Sequence, residues 1–362
     1  MDQLIVLALN SGSSSLKFGL YRWNEGRVEE LLPGETLPTD ANVATVVRII
    51  AERNLPAPMA VGHRIVHGGL GSRDHYLIDD DTLSEIERGC SFAPLHVAAG
   101  LEIIAEARSA FPDIPHYACL DTTFHNTLPE HARTLPIDVA STAGVERYGF
   151  HGLSCASIVR QLGGNIPPRL IVAHLGSGAS VTAIRNGRSV DTSMGMTPTG
   201  GMMMATRSGD LDPGVLLYLI KEIGMDAWQV ENMLNRRSGL LGVSGVSSDL
   251  RELQQVEASH SAARLAISMF AVAAAKQIAA MIVSLGGFDA IVFTGGIGEN
   301  DPLMRDRIAG HLSWAQVAID PSANAAGIGC ISAVGSLKLV HVLRSSEQHE
   351  IVWIVAAAVD CG

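Results

Sequence analysis

The sequence predicts an α/β fold of two duplicated halves facing each other across a cleft, and three observations carry that prediction. The first is size: at 362 residues the chain exceeds the length at which one hydrophobic core stops growing, so two domains are expected. The second is an internal repeat. LIVLALNSGSS (4–14) set above LIVAHLGSGAS (170–180), an offset of 166 residues, matches Leu4, Ile5, Val6, Leu9, Ser11, Gly12 and Ser14 with Leu170, Ile171, Val172, Leu175, Ser177, Gly178 and Ser180 without a gap. The third is alternation: apolar strand-like runs ending in glycine turns are separated by helix-like segments at 40–53, 82–89, 95–110, 153–163, 212–222, 226–235 and 262–285. Strands flanked by helices make a mixed sheet covered on both faces, once per half, with the ligand between them.

Each repeat begins as a hairpin. LKFGLYRW follows the first glycine turn and SVTAIRNGRSVDTSM the second, and Asn186-Gly187 is a type I′ turn signal because both positions need positive φ. A third strand and glycine turn is read in FDAIVFTGGIGEN (288–300), after the long helix. The Pro-rich NIPPRL (165–170) is a joint before the second copy. In AISMFAVAAAKQIAAMIVSLGG (266–287), Lys276 and Gln277 interrupt the apolar run, so a buried helix is expected rather than a membrane span.

Composition narrows the function. With 47% hydrophobic and 17% charged residues the chain is globular, and a formal charge of −11 without a basic block disfavours nucleic acid and anionic membranes as partners. Any bound anion needs a local site. Lysine occurs only at Lys17, Lys221, Lys276 and Lys338, so arginine carries most of the positive charge. Five cysteines, never in a CxxC pair, read as reduced thiols, and the acidic MDQ start with its short apolar run is no signal peptide, so a soluble cytoplasmic protein is expected.

Glycine turns after strands let backbone N–H groups approach phosphate oxygens. No GxxxxGK[ST] is present, and GxGxxG fails at Val181 and Asp301, yet three such turns favour a phosphate site over a merely structural role. In VGHRIVHGG (61–69), Arg64 near a strand end reads as an anion clamp, with an ordinary salt bridge as the alternative. His63 and His67 have the spacing of a metal pair, but Val, Ile and Gly argue against the helix that zinc would need. Asp121 follows the strand-like YACL and is placed to organise a metal or to cap a turn. His151 sits in RYGFHG, and Arg207 stands isolated in the long loop DTSMGMTPTGGMMMATRSGDLDPG (191–214). SSDLREL (247–253) has the look of a capped helix start.

These stretches, in order, resemble the acetate kinase family, within the superfamily that also holds sugar kinases and actin. The carrying motifs are LNSGSSSLKF, GHRIVHGG, PLHVAAG, LDTTFHNTLP, RYGFHG, HLGSGAS, DTSMGMTPTGG with TRSGDLDPG, SSDLREL and FTGGIGEN, spanning Leu9 to Asn300. The resemblance implies two ribonuclease H-like domains of the actin and sugar-kinase type around a central cleft, 1–149 plus 348–362 and 150–347. It also implies an ATP-dependent kinase converting acetate to acetyl phosphate by direct in-line transfer, using Mg²⁺ (or Mn²⁺), as a cytoplasmic homodimer. Propionate kinase is the neighbouring reading within the family; a sugar kinase or a nucleotide-gated scaffold has no use for two arginines together.

By position, the resemblance makes Asn10 a metal-binding residue and Lys17 a nucleotide contact. Arg64 and Arg207 become the arginines that hold the carboxylate and the migrating phosphoryl group, His151 the transition-state stabiliser and Asp121 the active-site aspartate. Nucleotide loops are His174, Leu175, Gly176, Ser177 and Gly178; Asp249, Leu250 and Arg251; and Gly296, Ile297, Gly298, Glu299 and Asn300. Val66, Leu95, Phe150 and Pro198 form the pocket for the acyl methyl group. The second metal ligand is Glu347 by gapless alignment, with Glu350 competing. The chain departs from the family pattern at Ser177, Val97, Thr199-Gly200 and Gln348, and is shorter around residues 22–56.

Overall fold

The unbroken apolar run that opens the chain becomes β1 (Leu4–Ser11), a strand buried along its whole length, which requires cover on both faces. It is central in its sheet, pairing antiparallel with β2 (Ser15–Asn24) and parallel with β4 (Ala60–Ile65). With β3 (Arg27–Pro38), β5 (Tyr76–Leu77) and β6 (His116–Leu120) the first sheet has the order β3-β2-β1-β4-β6-β5. The computed structural model describes residues 3–11, 15–38, 42–89, 92 and 94–360, and the side chains of Ser15, Pro38 and residues 94–96 lie outside that description.

The second sheet repeats the first strand for strand. Its members are β7 (Arg169–Leu175), β8 (Ala179–Arg185), β9 (Arg188–Thr192), β10 (Ala290–Thr294), β11 (Gly329–Cys330) and β12 (Leu339–Val342), ordered β9-β8-β7-β10-β12-β11. β7 pairs antiparallel with β8 and parallel with β10, as β1 does with β2 and β4, and each sheet ends in a two-residue antiparallel edge strand. The duplication inferred from one motif therefore covers the whole sheet. Asn186 and Gly187 take φ of +50° and +81°, the positive pair that the β8–β9 hairpin turn requires.

Helices cover both sheets, and α1, α2, α3, α5, α6, α7 and α10 fall on the seven segments read as helix-like in the sequence. They are α1 (Val43–Glu52), α2 (Asp80–Arg88), α3 (Pro94–Ala110), α4 (Glu130–Arg133), α5 (Gly152–Leu162), α6 (Pro213–Lys221), α7 (Ala227–Arg236), α8 (Gly239–Ser244), α9 (Leu250–Val256), α10 (Ser261–Leu285), α11 (Gly295–Asn300), α12 (Pro302–His311), α13 (Pro321–Ala326) and α14 (Glu347–Asp360). α10 is, among the described residues, the helix long and apolar enough to cross a membrane. Its face of Ala263, Ile267, Phe270, Ala274, Ile278 and Met281 is buried in the core beside the second sheet.

One segment differs from its sequence reading. GGIGEN, read as a third glycine turn, is the helix α11 starting directly off β10, because Gly295 at φ +78° turns the chain where a Cβ would lie 2.8 Å from the Leu175 carbonyl oxygen. The chain then returns to the first half. α14 packs Ile351, Val352, Val355 and Ala356 against Leu4, Val6, Ala8, Tyr21 and Cys119. That approach is close at Gly62, where a Cβ would lie 2.2 Å from Ile351 Cγ2. The C-terminal ends of β1, β4, β6, β7 and β10 consequently converge, which is where open α/β sheets bind ligands.

Candidate active site

Four residues from three strand ends and one helix start meet on the first-sheet side. Arg64 at the end of β4 donates from Nε and Nη2 to Asp121 Oδ2 at 3.0 and 2.6 Å, and from Nη1 to Asn10 Oδ1 at 3.1 Å. Asn10 Nδ2 in turn donates to Glu347 Oε2 at 2.7 Å, and Glu347 lies 3.9 Å from Arg64 Nε. Asp121 Oδ1 is buried without a hydrogen-bond partner. Burial pushes the Asp121 carboxyl up and the Glu347 charge adds to this, with Arg64 opposing. For Glu347, burial acts upward too, but Arg64, His174, Asn10 and Lys17 outweigh it and hold its carboxyl below the ordinary glutamate value. Two carboxylates, one of them with an orphaned oxygen, and an amide oxygen form a hard-oxygen donor set, which fits a divalent cation.

Glu347 and Glu350 have different partners. Glu350, one helical turn on, is gripped by Arg160 through two bonds of 2.7 and 2.8 Å and is turned away from Asn10 and Arg64. Gln348 faces Tyr21, whose hydroxyl donates to its Oε1 at 3.3 Å.

The second-sheet side contributes His151, Arg207 and the β7–β8 turn. His151 sits at φ +58°, ahead of α5, and the Gly152 N–H donates to the Asp121 carbonyl at 2.9 Å, so the histidine is tied to the aspartate's strand end. A Cβ on Gly152 would lie 2.1 Å from that oxygen, so glycine is needed there. His151 Nδ1 is 2.9 Å from Ser180 Oγ, and its ring stacks on His174 with centroids 4.1 Å apart. His174 Nδ1 is 2.8 Å from Ser154 Oγ. Burial, then His174, Arg64 and Arg207, hold His151 well below the ordinary histidine value, so the ring is neutral at pH 7.

Both His151 and Arg207 reach the turn at Gly178. A Cβ there would lie 3.3 Å from His151 Nε2 and 3.5 Å from Arg207 Nη1, the space a ligand oxygen would use. Arg207 Nη1 donates to the Pro198 carbonyl at 3.2 Å. Burial and the Arg64 charge bring Arg207 down to about 10, so it remains a cation at neutral pH. Two guanidinium groups close enough to repel each other favour an anion between them.

The remaining predicted residues fall into two groups. Lys17 is exposed and pairs in register with Asn10 across β1 and β2, and the turn Leu175–Gly178 adjoins α11, where a Gly176 Cβ would lie 3.6 Å from the Gly296 nitrogen. Those residues belong to one neighbourhood. Asp249 and Arg251, by contrast, spend their polar groups on each other: Asp249 caps α9 by accepting from the Arg251 N–H at 2.8 Å and pairs with its guanidinium at 2.6 Å. Leu250 is buried beside them. Glu299 is also committed, accepting from Gly295 N, Thr294 Oγ1 and Ser345 N at 2.9, 3.2 and 3.1 Å, while Asn300 Nδ2 donates to the Gly296 carbonyl. Glu299 thus fastens the start of α11 to the segment leading into Glu347.

Of the acyl pocket, Val66, Phe150 and Pro198 are buried, with Val66 and Phe150 in one core cluster; the Leu95 side chain, and residues 12–14 of the first glycine turn, lie outside the described residues. Ile297 packs at the edge of the same cluster and Gly298 is buried. His63 and His67 serve separate contacts: His63 Nε2 lies 3.0 Å from His116 Nδ1, and His67 Nδ1 accepts from the Gly69 N–H at 2.9 Å. Sequence reasoning missed Ser154, Ser180 and Arg160. Only the serine inside the duplicated SGAS turn carried any signal.

The sequence profile described as the Acetokinase family matches residues 41–353. Acetate kinase 2 of Neisseria meningitidis serogroup B is 40% identical over 96% of both chains, and acetate kinase of Shewanella frigidimarina is 38% identical over 98% of both. Among solved structures, a propionate kinase from Francisella tularensis superposes with a TM-score of 0.86 at 34% identity, covering 97% of this chain and 98% of its own. Porphyromonas gingivalis acetate kinase does so with 0.84 at 34%, covering 98% and 100%. Likeness of this extent, in sequence and in backbone, makes this chain a member of the acetokinase family.

Proposed function

We infer that the chain transfers the terminal phosphoryl group of ATP to the carboxylate of acetate, giving acetyl phosphate and ADP. The observation that carries this reading is the convergence of Arg207 and His151 Nε2 at the Gly178 turn, with Arg64 close enough to Arg207 to lower its pKa. Joining two anions needs positioning and charge neutralisation more than proton chemistry. A carboxylate with a pKa of about 4 is already ionised, so no base has to activate it. Its oxygen attacks the γ-phosphorus in line, and ADP leaves with the electrons of the broken P–O bond.

Each residue has a defined task in that reading. Arg64 and Arg207 hold the acceptor carboxylate and the migrating group, and their planar forks match both anions. When Ser180 donates to Nδ1, His151 carries its proton on Nε2 and donates to an equatorial oxygen without adding charge. Asn10, Glu347 and the orphaned Asp121 Oδ1 would hold Mg²⁺, which neutralises charge on the nucleotide phosphates when bound. Asp121 acts through that cation or through water, not by removing a substrate proton. Val66, Phe150 and Pro198 would surround the methyl group, and Lys17 with the turn at 174–178 and helix α11 would face the nucleotide.

Incubation with Mg·ATP, acetate and hydroxylamine is expected to yield acetyl hydroxamate. No hydroxamate from acetate or propionate would overturn the reading. Propionate is the second acceptor to test, because one of the similar structures, at 34% identity, is a propionate kinase. The partner is a second copy of the chain, meeting through α6. That helix buries none of its residues and exposes Val215, Leu217, Tyr218 and Ile220, apolar side chains of the kind found at an interface. Light scattering should give twice the 38.2 kDa chain mass, and Leu217→Asp should return it to one. A wild-type monomer at micromolar concentration would sink the pairing.

A further inference from the structure

The four residues that lead into α14 are each tied to the second sheet or to a helix packed beside it. The Leu343 N–H donates to the Phe293 carbonyl of β10 at 3.2 Å, and Gln161 Nε2 of α5 donates to the Arg344 carbonyl at 2.9 Å. The Ser345 N–H donates to Glu299 Oε1 of α11 at 3.1 Å, and the Ser346 N–H to Ser157 Oγ of α5 at 3.1 Å. α5 shares a core cluster with that sheet, through Cys155 and Ile158 beside Val172 and Val292. The next residue is Glu347, whose side chain reaches across to Asn10 Nδ2 of β1 at 2.7 Å. The proposed cation site is therefore assembled from two directions: Asn10 and Asp121 stand on or just past first-sheet strands, and Glu347 is delivered from the other side.

Two of these ties come from side chains whose own geometry is fixed. Ser157 Oγ gives its proton to the Ser154 carbonyl at 2.8 Å, which leaves the oxygen to accept from Ser346. Glu299 Oε1 accepts from Gly295 N, Thr294 Oγ1 and Ser345 N, so one oxygen joins the end of β10, the start of α11 and the approach to Glu347. A helix start leaves backbone N–H groups without intrahelical partners, and here side chains from α5 and α11 take those just ahead of α14. A carboxylate on a long side chain keeps a ligand geometry only when its backbone is held. We propose that Glu299 and Ser157 are positioning residues for Glu347: they fix its backbone so that its carboxylate meets the divalent cation together with Asn10 and Asp121. Glu299 thereby makes the start of α11 and the cation ligand one unit. Neither residue is a ligand in this arrangement, and the proposal rests on the cation reading above.

The test is Mn²⁺ binding to the nucleotide-free protein, followed by the electron paramagnetic resonance of the free ion, with Glu347→Gln identifying the site. Glu299→Ala removes the acceptor of all three bonds and is expected to weaken Mn²⁺ at that site by about 10- to 100-fold, the cost of losing an outer-shell support. Glu299→Gln retains an Oε1 that can accept the same bonds, and its affinity should stay within about threefold of wild type. Ser157→Ala should weaken Mn²⁺ by about fivefold, the effect of one hydrogen bond, and it carries the test where Glu299→Ala does not fold. An unchanged affinity in Glu299→Ala with a raised KM for ATP would confine Glu299 to α11 and overturn the proposal. So would a Glu299→Gln as weak as the alanine variant, because charge and not the hydrogen bonds would then matter, or a Ser157→Ala equal to wild type. A wild type with no Mn²⁺ site sensitive to Glu347→Gln overturns the cation reading itself, and this inference with it.

Discussion

Glu347 and Glu350 stand one helical turn apart at the start of α14, and their surroundings give them opposite duties. Glu347 shares Asn10 and Arg64 with Asp121, whereas Glu350 is 5% exposed and neutralised by a two-pronged Arg160 that also lies over Trp353, 4.1 Å from the ring centroid. Glu347→Gln keeps the side-chain shape and removes the charge that would hold the proposed cation. It should lower kcat/KM by about 10²- to 10³-fold, the scale of losing one preorganised electrostatic contact, and raise the Mg²⁺ concentration for half-maximal rate. Glu350→Gln should leave kcat/KM near wild type and cost about 1 kcal/mol of stability, because Arg160 is 42% exposed and solvent screens the pair. Activity lost in Glu350→Gln and kept in Glu347→Gln would reverse the two duties.

Elements were legible in the sequence wherever the signal was local. The hairpin at Asn186-Gly187 follows from turn chemistry, and α10 runs over 261–285, one residue earlier at its start than its apolar pattern predicts. The eleven-residue repeat pointed to one mixed sheet per half, and both sheets have the same six-strand order. What stayed hidden depends on partners distant in sequence. Arg160 and Glu350 are 190 positions apart, and only their pairing shows which face of α14 looks into the cleft. α11 was misread because glycines that make a turn in one setting open a helix in another, and the deciding contact is the Leu175 carbonyl from the neighbouring strand. Asp249 and Arg251 carry the motif of a capped helix start, and the Asp249 side chain both caps α9 and pairs with Arg251.

Across the whole molecule, buried imidazoles, one of which joins the two halves, tie stability to acid pH. His67, His75 and His125 are each brought down to about 4, in every case mainly by burial. Arg147 presses His125 further down while the Phe150 carbonyl 3.0 Å away resists, and Asp74 opposes the shift at His75. His125 joins the halves directly, since it lies between Phe150 and Ser189 of β9, 2.9 Å from the serine hydroxyl. In the unfolded chain these rings titrate near 6.5, so between about pH 6.5 and 4 the unfolded state binds more protons than the folded one. Stability is therefore complete above the unfolded value and falls as the pH drops through that window. At pH 5 each ring contributes a loss of about 2 kcal/mol relative to pH 7. Urea unfolding followed at pH 7.5, 6 and 5 should show a steep decline whose slope includes nearly three protons from these rings, and His125→Gln should remove about one proton from the slope even though the variant is less stable throughout. Stability that stays level from pH 7.5 to 5, or a His125→Gln slope equal to wild type, would mean that these imidazoles take up protons without unfolding, and that the seam between the two halves opens before the chain does.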